Sequence, residues 1–209
     1  MDEVSKALVI MEIAKVDASV AELLAVHTLT NDIFLKRGTE EQKKKYLALG
    51  ASGKVGAFAL TEPGAGSDAS AAKTKAISDG DDYIINGTKC FISNMGPEEG
   101  DYVVLIALTD SVSPVTKGMS AIVVDRNTPG FSVGKLENKM GLRGANVSEL
   151  IFQDCRVPKS NLLGKEGEGF KIAMAALDGG RIGMASQAVG IAEGAIDLAV
   201  AYAKELCSV

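Results

Sequence analysis

The sequence predicts an α+β fold: a central antiparallel β-barrel or sandwich domain flanked by N-terminal helices and by the start of a C-terminal helical bundle. Three observations carry this reading. Residues 4–37 place apolar side chains at three- and four-residue steps, the period of a helix with one buried face. After Lys54, short β-prone runs alternate with turn residues and no helical stretch separates them. That pattern favours antiparallel neighbours and excludes the strand–helix alternation of a doubly wound sheet. Helical spacing returns near Glu168. The expected units are a helical segment at 1–53, a β-domain at 54–163 and a second helical segment at 164–209.

Each element has its own signal. In the first helical stretch Leu8, Ile13, Val16, Val20, Leu23, Leu24 and His27 suit apolar faces. Thr39-Glu40-Glu41-Gln42 has the form of a capping box, residues 43–49 continue that helix, and Gly50 and Gly53 close it. The β-prone runs are 55–61, 72–77, 83–85, 89–93, 102–109, 119–125, 131–135 and 149–157. Asn86-Gly87 reads as a hairpin turn, because both residues tolerate the positive φ of a type I′ turn. Residues 164–169 lack the Gly-Lys-Ser/Thr end of a P-loop and read as a turn entering a helix. Residues 170–177 form one expected short helix and 181–204 a second. In the second, Gly183, Gly190, Gly194, Ala195 and Ala199 are small enough to admit a close neighbour.

Composition narrows the function. The 209 residues are 46% hydrophobic and 23% charged, a globular balance. With 22 Lys+Arg against 27 Asp+Glu the net charge is -5, which argues against a nucleic-acid partner because phosphate binding needs a positive field. His27 is the single histidine, and Cys90, Cys155 and Cys207 lie far apart in sequence. A Cys/His metal site and a hydrolase triad are therefore not expected, and no G-x-S-x-G elbow accompanies the histidine. Three scattered cysteines suit a reducing compartment. Asp2 and Glu3 have the wrong charge for a signal peptide. The low-polarity segment 179–203 is interrupted by Arg181, Glu193 and Asp197, so no membrane-spanning stretch is expected. A helical pattern begins directly after Met1 and another runs to Val209 with no C-cap, so both ends are expected to be cut.

The most informative stretch is Phe58-Ala59-Leu60-Thr61-Glu62-Pro63-Gly64-Ala65-Gly66-Ser67-Asp68. A strand here runs into a loop with two glycines, which expose backbone N–H groups and let a ligand approach closely. Such a loop can cradle a pyrophosphate, with the Ser67 hydroxyl as a further donor. The same spacing also suits a plain β-turn.

Residues 60–68, Leu-Thr-Glu-Pro-Gly-Ala-Gly-Ser-Asp, resemble the signature of the acyl-CoA dehydrogenase family. Four further segments agree with it in order and spacing. Residues 27–46 resemble the last helices of the family's N-terminal domain. Residues 83–94, Tyr-Ile-Ile-Asn-Gly-Thr-Lys-Cys-Phe-Ile-Ser-Asn, resemble its flavin-facing hairpin. Residues 140–158 resemble its Gly-Leu-Arg segment and the strand after it. Residues 177–190, Leu-Asp-Gly-Gly-Arg-Ile-Gly-Met-Ala-Ser-Gln-Ala-Val-Gly, are similar to the short-chain (butyryl-CoA) members. By this resemblance the three units are the end of an N-terminal helical domain, a middle β-domain and a truncated start of a C-terminal helical domain.

The resemblance implies FAD as cofactor, an acyl-CoA substrate oxidised to its 2,3-enoyl thioester with hydride transfer to the flavin, and electron-transfer flavoprotein as electron acceptor. It also implies a homo-oligomer, a tetramer in full-length relatives, in bacterial cytoplasm or mitochondrial matrix. Phe58, Leu60 and Thr61 would line the flavin, and Gly66 and Ser67 would hold its pyrophosphate, with Ser67 also near the acyl-CoA. Phe91, Ile92 and Ser93 would face the ring; read without the family, Phe91 and Ile92 suit ordinary strand core. Asp178, Gly179, Gly180 and Arg181 match the family's CoA-contacting turn, or else a Gly-Gly break between helices with a solvated Arg181. Ser93 stands where many relatives carry Thr, which preserves the hydroxyl. The family's catalytic base is a glutamate in its C-terminal helical domain, beyond this sequence, so no catalytic residue is assigned here and Glu62 is not that base. An alternative follows: as these 209 residues, the chain is a non-catalytic FAD/acyl-CoA-binding module.

Overall fold

The computed structural model describes residues 2–206; the readings placed on Met1, Cys207 and Val209 lie outside them. Three helices come first: α1 (Glu3–Ala14), α2 (Ala18–Arg37) and α3 (Glu40–Ala51). The single helical stretch expected over 4–37 is two helices. Asp17 takes an extended conformation, and its carboxylate accepts from the backbone N–H groups of Ser19 and Val20, which starts a new helix there. The capping box at Thr39 and Gln42 forms in full. The Gln42 amide also donates to the carbonyls of Ser160 and Leu162 at 2.8 and 2.9 Å, tying α3 to the β-domain.

The β-domain contains β1 (Gly56–Ala59), β2 (Lys75–Asp79), β3 (Asp82–Ser93), β4 (Tyr102–Leu108), a one-turn helix α4 (Val115–Gly118), β5 (Met119–Asp125), β6 (Phe131–Leu136), β7 (Val147–Pro158) and the short β8 (Leu162–Leu163). The sheet order is β6-β7-β3-β2-β4-β5-β8, with β1 also on β4. Most pairs are antiparallel, as expected, but β1 and β2 each pair with β4 in parallel. β4 is buried along nearly its whole length because both of its faces are covered. Tyr102, Val104 and Ile106 point to the helices, and Val103, Leu105 and Ala107 to the layer formed with Tyr83, Leu150 and Phe152. The two sets alternate with the strand's period of two. Phe34, Tyr46 and Tyr102 pack ring on ring where α2 and α3 meet β4, and the Tyr46 hydroxyl donates to Asp125 at 2.9 Å.

Two expected turns are not turns. Asn86-Gly87 lies inside the continuous strand β3. The hairpin is at Gly80-Asp81, where Asp79 pairs with Asp82 and Gly80 takes φ 59°. Asn86 instead faces a β-bulge in β7: its side chain exchanges two hydrogen bonds with Asp154, whose φ is 49°. Further along, residues 169–206 form one continuous helix, α5 (Gly169–Leu206), so Asp178-Gly179-Gly180-Arg181 is neither a turn nor a break. Two helical glycines cost about 1 kcal/mol each relative to alanine. Packing outweighs that cost: Gly183 lies against Ile10 and Ala25, and Gly190 against the backbone of Met11. The Lys15–Glu193 ion pair and the bond from Gln187 to the Ala18 carbonyl extend the α5 contact toward α1 and α2.

α5 also corrects the expectation about membranes on composition: its most apolar 18-residue window averages a hydropathy of 1.2, long and apolar enough to cross one. It packs on α1, α2 and β5, with contacts to α1 reaching as far as Gly194. Ile196, Leu198, Val200 and Tyr202 in its second half are exposed.

His27 joins α2 to β1. Its Nδ1 accepts from Gly56 N–H at 3.3 Å, and Nε2 lies 3.0 Å from the Asn31 side-chain amide. Burial lowers its pKa from the ordinary 6.5. The native state therefore resists a proton that the unfolded chain accepts. The histidine's contribution is fully present above about pH 6.5 and is lost as pH falls through the depressed native value. Melting temperatures of the wild type and His27→Asn, compared at pH 7.5 and 5.5, should converge at the lower pH; a pH-independent gap would contradict this.

Candidate functional site

A cavity of about 640 Å³ opens between the β-domain, α2 and α5. Three separated segments supply its β side: Phe58, Leu60 and Thr61 from β1 and its exit, Gly66 and Ser67 from the loop that follows, and Phe91, Ile92 and Ser93 from the end of β3. All eight residues expected to contact a cofactor line this one space. α5 adds Phe170, Met174, Leu177 and Arg181, spaced to lie along one helical face, and α2 adds Val26 and Leu29.

The loop is held tightly at its base and is open at its tip. Glu62 and Ala65 exchange backbone hydrogen bonds at 3.0 and 3.1 Å. No atom lies within 4 Å of where a Cβ would sit on Gly64 or Gly66, so a ligand can approach the backbone closely there. Beneath the loop, the Lys89 side chain is 0% exposed. Its ammonium donates to the Leu60 carbonyl and to Glu62 Oε1, both at 2.8 Å. Glu62 also accepts from the backbone N–H groups of Lys73 and Thr74. Burial alone would raise the Glu62 pKa, but the Lys89 ammonium and these N–H donors hold the carboxyl below its ordinary range. Glu62 is thus a structural anchor, engaged on both oxygens. Cys90 N–H completes the link by donating to the Thr61 carbonyl at 3.0 Å.

Immediately after Lys89 a β-bulge puts two residues of β3, Cys90 and Phe91, opposite one of β7, Glu149. Phe91 takes φ 58° there and is 64% exposed. Bulges beside binding sites re-aim a side chain, and here the ring that strand alternation would misplace lies at the cavity. Ile92, 2% exposed, belongs to the core as well as to the cavity wall. The Ser93 hydroxyl lies 3.3 Å from Glu22 Oε1.

The second expected group separates. Arg181 reaches the cavity rim, paired at 2.7 Å with Asp178, and both side chains are exposed. Gly179 and Gly180 lie on the α2 side of α5, outside this cavity. Lys89, Glu22 and the α5 face were not singled out from the sequence. Only the α5 face carried a signal, in the spacing of Phe170, Met174 and Leu177.

A loop of free backbone amides fits an anionic tail, and an apolar cavity with an aromatic at its edge fits a flat ring. The chain belongs to the acyl-CoA dehydrogenase family. Residues 1–54 match the acyl-CoA dehydrogenase N-terminal domain, 57–155 the middle domain and 167–206 the C-terminal domain. It is 55% identical over 203 residues to an acryloyl-CoA reductase (NADH) of Anaerotignum propionicum, covering 96% of this chain and 51% of that protein. Among solved structures it is similar to a chain from work on the electron transferring flavoprotein of Acidaminococcus fermentans (TM-score 0.94, 52% identity, 98% of this chain and 54% of that one). It is also similar to the butyryl-CoA dehydrogenase of Megasphaera elsdenii (TM-score 0.91, 46% identity, 96% and 52%). The chain spans about half the length of the curated relatives it matches.

Proposed function

We propose that this chain forms the FAD- and acyl-CoA-binding core of a short-chain acyl-CoA dehydrogenase. The observation that carries the reading is the convergence of Phe58, Leu60, Thr61, Gly66, Ser67, Phe91, Ile92 and Ser93, from three segments, on one cavity. When bound, FAD supplies the two-electron acceptor for oxidation of the CH–CH bond next to a thioester. The chain's own residues bind and orient. Backbone amides near Gly66 and the Ser67 hydroxyl donate to phosphate oxygens, and the Thr61 hydroxyl and neighbouring amides donate to the polar edge of the ring. Phe91 covers a ring face. Phe58, Phe170, Met174 and Leu177 exclude water from the apolar side, which strengthens every polar contact inside. Arg181, at the rim, attracts the phosphates of CoA. Electron-transfer flavoprotein is the proposed redox partner, and the exposed apolar face of α5 suits self-association into a homo-oligomer.

One observation favours the narrower reading of a binding module without turnover. Among the described residues lining the cavity, Asp68 is the single carboxylate, and it is engaged by the backbone N–H of Ser70.

Titrating the purified chain with FAD, followed by quenching of flavin fluorescence, tests the shared part. Saturable binding that Gly66→Val weakens at least tenfold is expected; no binding overturns the proposal. Assay with butyryl-CoA and a dye acceptor separates the two readings, since turnover requires a base and would refute the binding-only form.

A further inference from the structure

Asn86-Gly87 is a motif that neither a turn nor the cavity accounts for. Of the asparagines in this chain, Asn86 alone precedes a glycine. That pairing carries a reaction of its own. The Gly87 backbone nitrogen, unshielded by any Cβ, can attack the Asn86 amide carbon. A bond forms from that nitrogen to Cγ, the bond from Cγ to Nδ2 breaks, and ammonia leaves with the Gly87 amide proton. Water then opens the cyclic imide at one carbonyl or the other. The products are an aspartyl or an isoaspartyl residue, with no change of oxidation state.

The folded chain blocks this step although Asn86 is exposed. Asn86 lies within β3 and pairs with Lys75 of β2, while Ile85 and Gly87 pair with Cys155 and Phe152 of β7. Ring closure needs the Gly87 nitrogen swung over the Asn86 side chain, at a ψ outside the β region. The side-chain amide is also held at both of its polar atoms. Nδ2 donates to Asp154 Oδ1 at 3.1 Å, and Oδ1 accepts from Asp154 N–H at 2.9 Å. Gly87 has no slack on its other side: a Cβ there would run into Thr74 Oγ1 and lie 2.8 Å from Thr74 Cα.

We infer that Asn86 is a deamidation site that the fold keeps closed and that unfolding opens, so that a chain left unfolded loses its route back. The aspartyl product brings a carboxylate that can only accept to Asp154 Oδ1, and sets like charges across two strands. The isoaspartyl product does the greater damage. It routes the main chain through Cβ and Cγ, which adds one carbon to β3 between two register points, Ile85 with Cys155 and Gly87 with Phe152. Further along the same strand are Phe91, Ile92 and Ser93, which line the cavity. Their placement depends on that register.

The test ages the whole chain in mildly alkaline buffer, folded and in urea above its unfolding midpoint. Peptide mass spectrometry follows amide-to-acid conversion at Asn86. A modification that requires opening tracks the population of the open form, so the folded chain should convert at least about tenfold more slowly than the unfolded one. The aged, unfolded samples are then diluted from urea, and refolding is read by circular dichroism and the melting transition, which do not depend on what fills the cavity. Recovery of the wild type should fall in step with its conversion. Asn86→Ser has no amide to lose and should recover in full after the same ageing; Asn86→Gln replaces it should the serine protein fail to fold. Equal conversion rates in the folded and unfolded chain, or no conversion in urea, overturn the inference. Aged wild type that refolds no worse than the aged variant overturns the loss of the route back.

Discussion

Replacing Lys89 with methionine is expected to lower the unfolding free energy by about 3–5 kcal/mol, the usual cost of removing one partner from a buried ion pair. Methionine fills most of the volume, so cavity formation is a minor part of that cost. The dominant part is what stays behind. Glu62, 8% exposed in its side chain, keeps its carboxylate facing Lys73 and Thr74 N–H without a counter-charge. The Leu60 carbonyl also loses its 2.8 Å donor. Pairing the substitution with Glu62→Gln should restore part of the stability, because a neutral amide in the same place is cheaper to bury than an unpaired charge. FAD affinity should fall with the single substitution, because Lys89 joins the strand carrying Phe91 to the strand exit carrying Leu60 and Thr61. Urea unfolding of the wild type, the single variant and the double variant measures this. A Lys89→Met protein within about 0.5 kcal/mol of wild type would show the pair to be dispensable.

Gly169→Val should be nearly as damaging. A Cβ at Gly169 would lie 2.5–2.7 Å from the backbone C, Cα and N of Ser120. Ser120 cannot retreat, because it lies within β5, pairs with Ala107 of β4, and has its hydroxyl bonded to Thr109 and to Gly167 N–H. The helix must move instead, and overpacking of this kind costs about 1–3 kcal/mol. Moving the start of α5 also displaces Phe170 and Met174 from the cavity wall, so FAD binding should weaken more than the stability loss alone would cause. Gly179→Ala is the matched control. It lies in the same helix, nothing stands within 4 Å of its added Cβ, and it should be neutral or stabilising by up to about 1 kcal/mol. Equal melting temperatures for Gly169→Val and Gly179→Ala would refute the steric argument.

The misread segments show where local rules stop. Asn86-Gly87 satisfies a hairpin rule that depends on two residues alone, but β3 continues because β7 pairs with it on both sides of that point, through Ile85 and Gly87. The true turn at Gly80-Asp81 uses the same chemistry, positive φ at a glycine. Asp178-Gly179-Gly180 carries poor helix formers, and the helix runs through them because α5 is held by α1 and α2 on either side. In each case tertiary contact outweighed a preference of about 1 kcal/mol.

What the sequence determined by itself is the order and kind of elements, the loop of residues 60–68 and the family. Those depend on periodicity, on capping and glycine chemistry, and on motifs contiguous in the chain. The tertiary structure alone decided that eight residues from three segments share one cavity, that a bulge turns Phe91 toward it, and that a fully buried Lys89 fastens its two walls. It also decided that Glu22 meets Ser93 from 71 residues away. These are contacts between residues distant in sequence, made by packing and sheet register, and no local pattern encodes them.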